Sequence, residues 1–243
     1  MHNDAERYYL STKLVKQPAL LGPTGEGVPV SWTKVLYKTY PRFASIPLAV
    51  SDVHLANDSL PCRRSERAYS TAPLSFKQLA DLVYWSAGIQ PGNENATIKR
   101  RMYPSAGARY PIELYVVSER VEGLPLGLYH YNVLDNVLER LWRRDLGSEM
   151  QKVYCQDDLT PAATLCLTGV LSRSEVKYGA NGLRFALLEA GHVGQNICLL
   201  AHSEGLSCCP VGGFDNDRLT CLLDLSDGEV PLYVFTLGVG TVT

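Results

Sequence analysis

LRFALLEAGHVGQNICLLAHSE, residues 183–204, is the longest helix candidate in the chain and stops before Gly205. Apolar residues recur along it at helical spacing. It also contains Gly191 and Gly194, which cost stability in a helix and usually permit close approach of another backbone or a ligand. The sequence therefore predicts a long helix against which something packs closely.

Shorter elements surround this helix. Ser75 and Gln78 fit a capping box at the start of an amphipathic helix that Gly88 would end. Residues with strand character occupy 112–118, 163–171 and 230–238, with a hairpin over 127–142 and a short helix over 217–223. Because strands and helices do not alternate strictly, the predicted class is α+β.

Composition narrows the possible functions. The 243 residues are 46% hydrophobic and 20% charged, as in an ordinary globular protein. A formal net charge of -2 argues against a nucleic-acid partner, and no run of 18 apolar residues predicts a membrane span. Seven cysteines without a C-x-x-C pair, together with a start that lacks a signal-peptide apolar region, indicate a cytoplasmic protein with reduced thiols.

Residues 1–60 are rich in Pro, Gly and isolated aromatic residues and show weak periodicity. This composition predicts an N-terminal arm that packs on another surface, followed by a main domain over residues 61–243. On the long helix, Cys198 and His202 have the i, i+4 spacing of two metal ligands, but one Cys and one His make half a site. We therefore predict no metal.

Three guanidinium groups and a hydroxyl lie within five residues, at Arg63, Arg64, Ser65 and Arg67. Guanidinium stays charged and can bind two phosphate oxygens at once, so the cluster suits a terminal phosphate. Taken alone, it equally fits a solvated basic turn.

Two loops of small residues could receive a flat ring. In the first, Pro104, Ser105, Ala106 and Gly107 lead into a strand, and Ser105 can donate a hydrogen bond. In the second, Gly212 and Gly213 can present bare backbone N–H groups to an electron-accepting ring atom. Each loop is also compatible with a plain tight connection.

Lys177 and Tyr178 lie between a predicted buried strand and the long helix. A lysine beside a water-poor pocket can act as a base at neutral pH, although most single lysines are simply exposed. Adjacent side chains of an extended segment point in opposite directions, so both reach one pocket only if the backbone turns there.

In chain order, these motifs resemble the SagB-type dehydrogenases, a branch of the nitroreductase superfamily. The resemblance runs from Arg63 to Gly238. It rests on the series Arg-Arg-Ser-x-Arg, Pro-Ser-Ala-Gly-Ala-x-Tyr-Pro, Lys-Tyr-Gly, Leu-Leu-Glu-Ala-Gly-His-x-x-Gln-Asn and Gly-Gly-Phe. The leading segment Tyr8-Tyr9-x-x-Thr12-Lys13 matches more loosely.

The resemblance implies a nitroreductase-like fold, with a mixed or antiparallel sheet flanked by helices, in an intertwined homodimer with FMN at the subunit interface. It places the FMN phosphate and ribityl chain at Arg63, Arg64, Ser65 and Arg67. It places the flavin ring beside Pro104, Ser105, Ala106 and Gly107, often from the other subunit, and beside Gln195, Gly212 and Gly213. It makes Lys177 and Tyr178 the catalytic pair. The chain lacks the basic residue with which flavin reductases often end, so the phosphate would depend on the cluster at 63–67.

The implied reaction is oxidation of thiazoline or oxazoline rings to thiazoles or oxazoles on a ribosomally made peptide, in a complex with a cyclodehydratase. Three alternatives stay open at this stage. They are a flavin oxidase of nonribosomal peptide intermediates, an NAD(P)H-dependent nitroreductase, and a flavin-bound subunit without turnover.

Overall fold

The structure is a computed structural model that describes residues 4–11, 34–52, 54–156 and 159–241. Its helices are α1 (Asp4–Ser11), α2 (Ser59–Cys62), α3 (Phe76–Ala87), α4 (Gly147–Val153), α5 (Ser172–Tyr178), α6 (Asn181–Ser203) and α7 (Asn216–Leu223). Its strands are β1 (Ser45–Pro47), β2 (Leu74–Ser75), β3 (Ile112–Ser118), β4 (Val121–Glu122), β5 (Gly127–Asn132), β6 (Val137–Trp142), β7 (Ala163–Val170), β8 (Leu206–Val211) and β9 (Glu229–Val239).

Seven strands form one antiparallel sheet in the order β1-β6-β5-β3-β7-β9-β8, while β2 and β4 form a small parallel pair. The predicted hairpin is confirmed as β5 and β6, with Asn136 in the left-handed conformation that its tight turn requires. The α+β class and the antiparallel sheet flanked by helices are confirmed.

Side chains of the central strands alternate between two hydrophobic cores. In β3, Leu114 and Val116 enter the core that contains α3 and α6, whereas Tyr115 and Val117 enter the core that contains α4 and α7. Both faces of β3 are therefore buried, and the sheet is sandwiched between two pairs of helices.

The long helix α6 packs closely on β9 through one of its two glycines. A Cβ atom at Gly194 would lie 2.6 Å from Cζ of Phe235, so only glycine permits this approach. Gly191, in contrast, is exposed, and nothing would contact its Cβ within 4 Å. Close approach therefore occurs at Gly194, but the neighbour is an aromatic side chain rather than the backbone or ligand that the glycines predict.

The helix predicted after Ser75 is α3, but its capping box is wrong. Ser75 is the N-cap and accepts a hydrogen bond from Lys77 N at 3.2 Å. Gln78 does not return to the cap, because its Nε2 donates to the carbonyl of Glu204 at 3.1 Å, just beyond the end of α6. A tertiary contact between two helix ends has replaced the local one.

Part of the predicted arm packs on the sheet of its own chain. Strand β1 pairs with β6, and Tyr40 N donates to Glu139 Oε1 at 2.8 Å. Residues 12–33, which include Thr12 and Lys13 of the leading motif, lie outside the described residues. Within the described part of the chain, no helix is long and apolar enough to cross a membrane.

Candidate active site

The arginine cluster forms a surface turn after α2. Arg63 is half-buried, whereas Arg64, Ser65 and Arg67 are exposed. The turn is fixed to β8, because Glu66 N donates to the carbonyl of Cys208 at 3.0 Å. Arg64 and Arg67 therefore extend from an anchored backbone to the surface, with Arg63 partly covered beside them.

The glycine pair lies at the same edge of the molecule as this cluster. Arg67 Nε donates to Oε1 of Gln156 at 3.2 Å, and the neighbouring Cys155 N donates to the carbonyl of Gly213 at 3.1 Å. Gly212 and Gly213 are both exposed, and a Cβ at Gly212 would meet nothing within 4 Å. The two segments that sequence motifs assign to one cofactor are thus linked through residues 155 and 156.

The loop at 104–110 has an unusual backbone. Pro104 and Gly107 are exposed, and Ser105 and Ala106 are half-buried. Gly107, Ala108 and Tyr110 all have positive φ, at 59°, 53° and 48°. Left-handed backbone is costly for residues other than glycine, and such outliers cluster at functional sites. The loop is therefore held in this shape by its surroundings.

Lys177 and Tyr178 end the short helix α5 and lie against this loop. A Cβ at Gly107 would be 2.4 Å from Tyr178 Oη and 3.0 Å from Lys177 Nζ. The sequence interpretation left open whether both side chains reach one place, and the helical backbone brings both to Gly107. Burial raises the pKa of Tyr178, partly offset by Arg109, so its hydroxyl stays protonated at neutral pH.

Two arginines connect the loop to α5. Arg109 Nε donates to the carbonyl of Arg173 at 2.7 Å, and Arg173 Nη1 donates to the carbonyl of Tyr110 at 3.0 Å. Arg173 also lies 2.6 Å from Glu113 of β3, whose other carboxylate oxygen contacts His130 at 2.9 Å. These ion pairs hold the pKa of Glu113 at about 2 despite burial, and a buried charged network thus supports the start of α5.

Glu189 of α6 belongs to the Leu-Leu-Glu-Ala-Gly-His motif, but the sequence predicts no role for it at the site. Its Oε1 accepts hydrogen bonds from Ser105 Oγ at 2.8 Å and from Ala106 N at 3.2 Å. The residue is only 2% exposed, and burial raises its pKa to about 7. An acidic residue within an apolar helical stretch was the available signal, because a buried carboxyl needs partners.

One face of α6 is apolar yet exposed. Leu187 and Leu188 are 45% and 56% exposed, and Gly191, His192 and Gln195 continue the same face. Gln195 therefore lies on this open face. Among the described residues, no hydrogen bond joins it to the 104–107 loop.

The predicted site residues form two groups in one chain. Glu189, beside the 104–107 loop, and Cys198, which lies beside Cys208 and close to Arg63, are about 13 Å apart along α6. One group holds the arginine turn and the glycine pair, and we call it the arginine–glycine group. The other holds the 104–107 loop with Lys177 and Tyr178, and we call it the lysine–tyrosine group.

The residues considered as metal ligands have other partners. Cys198 lies beside Cys208, and both are free thiols, while His202 Nε2 lies 3.5 Å from Oδ1 of Asp58. Within residues 4–11, 34–52, 54–156 and 159–241, no cluster of three His, Cys, Asp or Glu side chains could hold a metal ion.

Comparison with known proteins identifies the family. Residues 62–239, more than half of the chain, match the model of the Nitroreductase family. The chain belongs to this family. The match begins at the arginine turn and ends with β9, so it includes both groups of site residues.

Relatives of this nitroreductase-family chain include a nitroreductase and two proteins named for the processing of microcin B17 and trifolitoxin. MJ1384 of Methanocaldococcus jannaschii, named as a nitroreductase, is 31% identical over 183 residues, which is 74% of this chain and 89% of that protein. The microcin B17-processing protein McbC of Escherichia coli is 31% identical over 152 residues, 57% of this chain and 54% of McbC. The trifolitoxin-processing protein TfxB of Rhizobium leguminosarum is 46% identical over 81 residues, 30% of this chain and 22% of TfxB.

Solved structures share the fold. A nitroreductase-type crystal structure from Anabaena variabilis superposes with a TM-score of 0.76 at 22% identity, covering 97% of this chain and 47% of that one. A chain of the E. coli microcin synthetase complex McbBCD, with truncated pro-MccB17 bound, superposes with a TM-score of 0.65 at 23% identity. That match covers 98% of this chain and 92% of the other. At these identities, the likeness concerns the fold alone.

Proposed function

We propose that this chain is an FMN-dependent dehydrogenase of the SagB type that oxidises thiazoline or oxazoline rings to thiazoles or oxazoles in a ribosomally made peptide. The observation that carries the proposal is the convergence of Lys177 and Tyr178 on Gly107, within the loop that the family resemblance places beside the flavin ring. Proton abstraction requires a positioned base, and a hydroxyl beside the base can orient the substrate.

The residues present fit FMN. Arg63 and Arg67 offer permanent positive charge to its phosphate, and Ser65 offers a hydroxyl between them. A Cβ at Gly212 would meet nothing within 4 Å and one at Gly213 would contact only Cys155, at 3.6 Å, so a flat ring can approach this exposed backbone. When bound, FMN supplies a hydride acceptor, which no protein side chain can provide.

In the proposed reaction, the ring loses a proton from one carbon and a hydride from its neighbour. Lys177 takes the proton at Nζ, and Tyr178 orients the ring through its protonated hydroxyl. The loop at Gly107 contacts both side chains of this pair and holds them together. Oxygen serves as the final electron acceptor and leaves as peroxide.

The assembly that we propose is a homodimer in which each site combines the arginine–glycine group of one protomer with the lysine–tyrosine group of its partner. The open face of α6 supports this arrangement. Its leucines are exposed on a helix whose other side is fully packed, and a small residue, Gly191, lies between them and Gln195. A second copy would cover these side chains and bring Gln195 to the interface.

A peptide substrate and a cyclodehydratase partner complete the proposal. They are supported by the similarity to McbC and TfxB, which are peptide-processing proteins, and by the fold shared with a chain of the McbBCD complex. NAD(P)H-dependent nitroreduction is the second candidate, favoured by the longer match to MJ1384. Steady NAD(P)H consumption with nitroaromatic compounds, and none of azoline, would favour it.

The deciding experiment incubates the protein, FMN and an azoline-bearing peptide, and measures the loss of two hydrogens per ring by mass spectrometry together with peroxide release. Lys177→Ala should lower the rate about 100-fold or more, the usual contribution of a positioned base, while flavin binding persists. Tyr178→Phe should be less impaired, because only the hydroxyl is lost. Wild-type azole formation by Lys177→Ala would contradict the proposed base.

A further inference from the structure

Glu189 has no role in the proposed mechanism, yet it is hydrogen-bonded to the loop that contacts Lys177 and Tyr178. A carboxylate inside a protein is costly unless hydrogen bonds or opposite charges compensate it. Glu189 is almost fully buried, and both hydrogen bonds described for it come from the 104–107 loop, one from a hydroxyl and one from a backbone N–H. The helix thereby fixes the two residues that directly precede Gly107.

The same hydrogen bonds extend through the loop. Ser105 Oγ donates to Glu189 and accepts from Tyr110 N at 2.9 Å, so the serine links the two ends of the loop. Gly107, at the tip, meets Tyr178 and Lys177. A displacement at Glu189 would therefore be transmitted over two residues to the proposed catalytic pair.

The two carboxyl oxygens of Glu189 differ in their hydrogen bonding. Oε1 accepts both hydrogen bonds, whereas Oε2 is buried and has no hydrogen-bond partner within the described part of the chain. A proton on Oε2 would leave both bonds in place but weaken them, because bonds to a charged acceptor are roughly twice as strong.

We propose that Glu189 is a positioning residue for the proposed ring oxidation, which holds the Ser105–Gly107 turn against Lys177 and Tyr178. The expected effect of Glu189 on turnover rests on the proposed function, whereas its expected effect on the shape of the turn does not. Glu189 acts through the loop and is assigned no contact with substrate.

Several charged and titratable groups face this carboxyl. Arg101, in the segment before the loop, lowers the pKa of Glu189 through its charge, but burial is the larger effect. Glu189 in turn raises the pKa of Tyr103, beside the loop, and of Tyr178, on α5. Lys177 borders the same turn at Gly107. Near pH 7 the carboxyl therefore changes charge beside the positive guanidinium of Arg101 and the neutral phenols of Tyr103 and Tyr178.

The test compares two variants of the full chain with FMN added. Glu189→Gln keeps an acceptor at Oε1, whereas Glu189→Leu removes it at similar size. Amide hydrogen exchange across residues 103–111 measures the turn directly, since the Ala106 N–H donates to Glu189. Below pH 7, where the Glu189 carboxyl is neutral, we expect exchange about ten-fold faster or more in Glu189→Leu and near wild type in Glu189→Gln, because only Glu189→Leu loses the acceptor of the Ala106 N–H.

Two further readouts separate positioning from general stability. In the wild type, protection of the Ala106 amide should rise roughly five-fold as pH passes upward through 7, after correction for the intrinsic pH dependence of exchange, and Glu189→Gln should lack this step. Ring oxidation should fall about 100-fold in Glu189→Leu and recover largely in Glu189→Gln. Asp81→Asn is the matched control, since Asp81 is a buried carboxylate of α3 that accepts two 2.7 Å hydrogen bonds from Ser51.

Wild-type exchange in Glu189→Leu, or equal loss of protection in both Glu189 variants, would overturn the proposal. So would faster exchange with an unchanged oxidation rate, or an equal loss of oxidation in Asp81→Asn. If exchange responds as expected but the wild type oxidises no azoline, Glu189 still positions the turn and the proposed function is what fails.

Discussion

A methyl group at Gly107 would directly displace the side chains of Tyr178 and Lys177. In Gly107→Ala, the new Cβ would lie 2.4 Å from Tyr178 Oη, whereas ordinary contact begins at 3.4 Å, so the hydroxyl must retreat by about 1 Å. Lys177 Nζ, at 3.0 Å, must also yield. Since φ is +59°, alanine adds roughly 1–2 kcal/mol of backbone strain.

The expected result is a large loss of activity with a modest loss of stability. Misplacement of a reacting group by about 1 Å can cost 100-fold in rate, and the strain alone should lower the melting temperature by only a few degrees. Rates are measured as mass loss on an azoline peptide, and stability by thermal unfolding. Gly205→Ala is the control, because its φ of +68° imposes similar strain while nothing lies within 4 Å of the added Cβ.

Gly205→Ala should lose stability and keep its activity. If Gly107→Ala oxidised azolines at the wild-type rate, the contact between the loop and the Lys177–Tyr178 pair would have no bearing on the reaction. If both variants lost activity equally, strain rather than displacement would be the cause.

Three other outcomes follow from the structure. Replacing Arg63 and Arg67 together with Ala should release most of the FMN while the circular dichroism spectrum is retained, and full retention of flavin would show that the phosphate binds elsewhere. Leu188→Glu should convert a dimer to monomers, measured by light scattering, and weaken flavin binding, measured by fluorescence titration. Leu134→Glu, a control at another exposed leucine, on the β5–β6 hairpin, should do neither. A wild-type monomer that holds FMN would contradict the shared site. The pKa of Glu113 is about 2 in the folded protein, below its unfolded value of 4.5. The charged carboxylate therefore stabilises the fold by roughly 3 kcal/mol at most above pH 4.5, and this contribution is lost as pH falls towards 2. Acid unfolding of Glu113→Gln should lack this part of the pH dependence.

Local sequence patterns predicted the elements whose pattern is strong. The stripe after Ser75, the apolar run at 163–170 and the hairpin around Asn136 all lie where periodicity and turn chemistry indicate them. Strand β8 (LSCCPV) was missed, because it has few β-branched residues and contains a proline. Its conformation depends on pairing with β9, which no local pattern reveals.

The site was predictable as a set of motifs but not as an arrangement. The resemblance supplied Lys177, Tyr178 and the 104–107 loop, yet nothing local indicated that Gly107 would contact both side chains. The sequence of helix α5, SRSEVKY, has no apolar residues at helical spacing, so no local pattern places Lys177 on a helix. The role of Glu189 depends on a hydrogen bond between distant segments and required coordinates.

The strained loop also explains why so many anchors converge on it. Ala108 and Tyr110 occupy the left-handed region, at a cost of roughly 1–2 kcal/mol each. Hydrogen bonds to several elements oppose this cost. Glu189 accepts two, Ser105 Oγ accepts one from Tyr110 N, Arg173 donates one to the carbonyl of Tyr110, and Arg109 donates one to the carbonyl of Arg173. Because these bonds act on one strained turn, loss of one anchor should loosen the turn as a whole, and the geometry at Lys177 and Tyr178 should respond to residues that never touch the substrate.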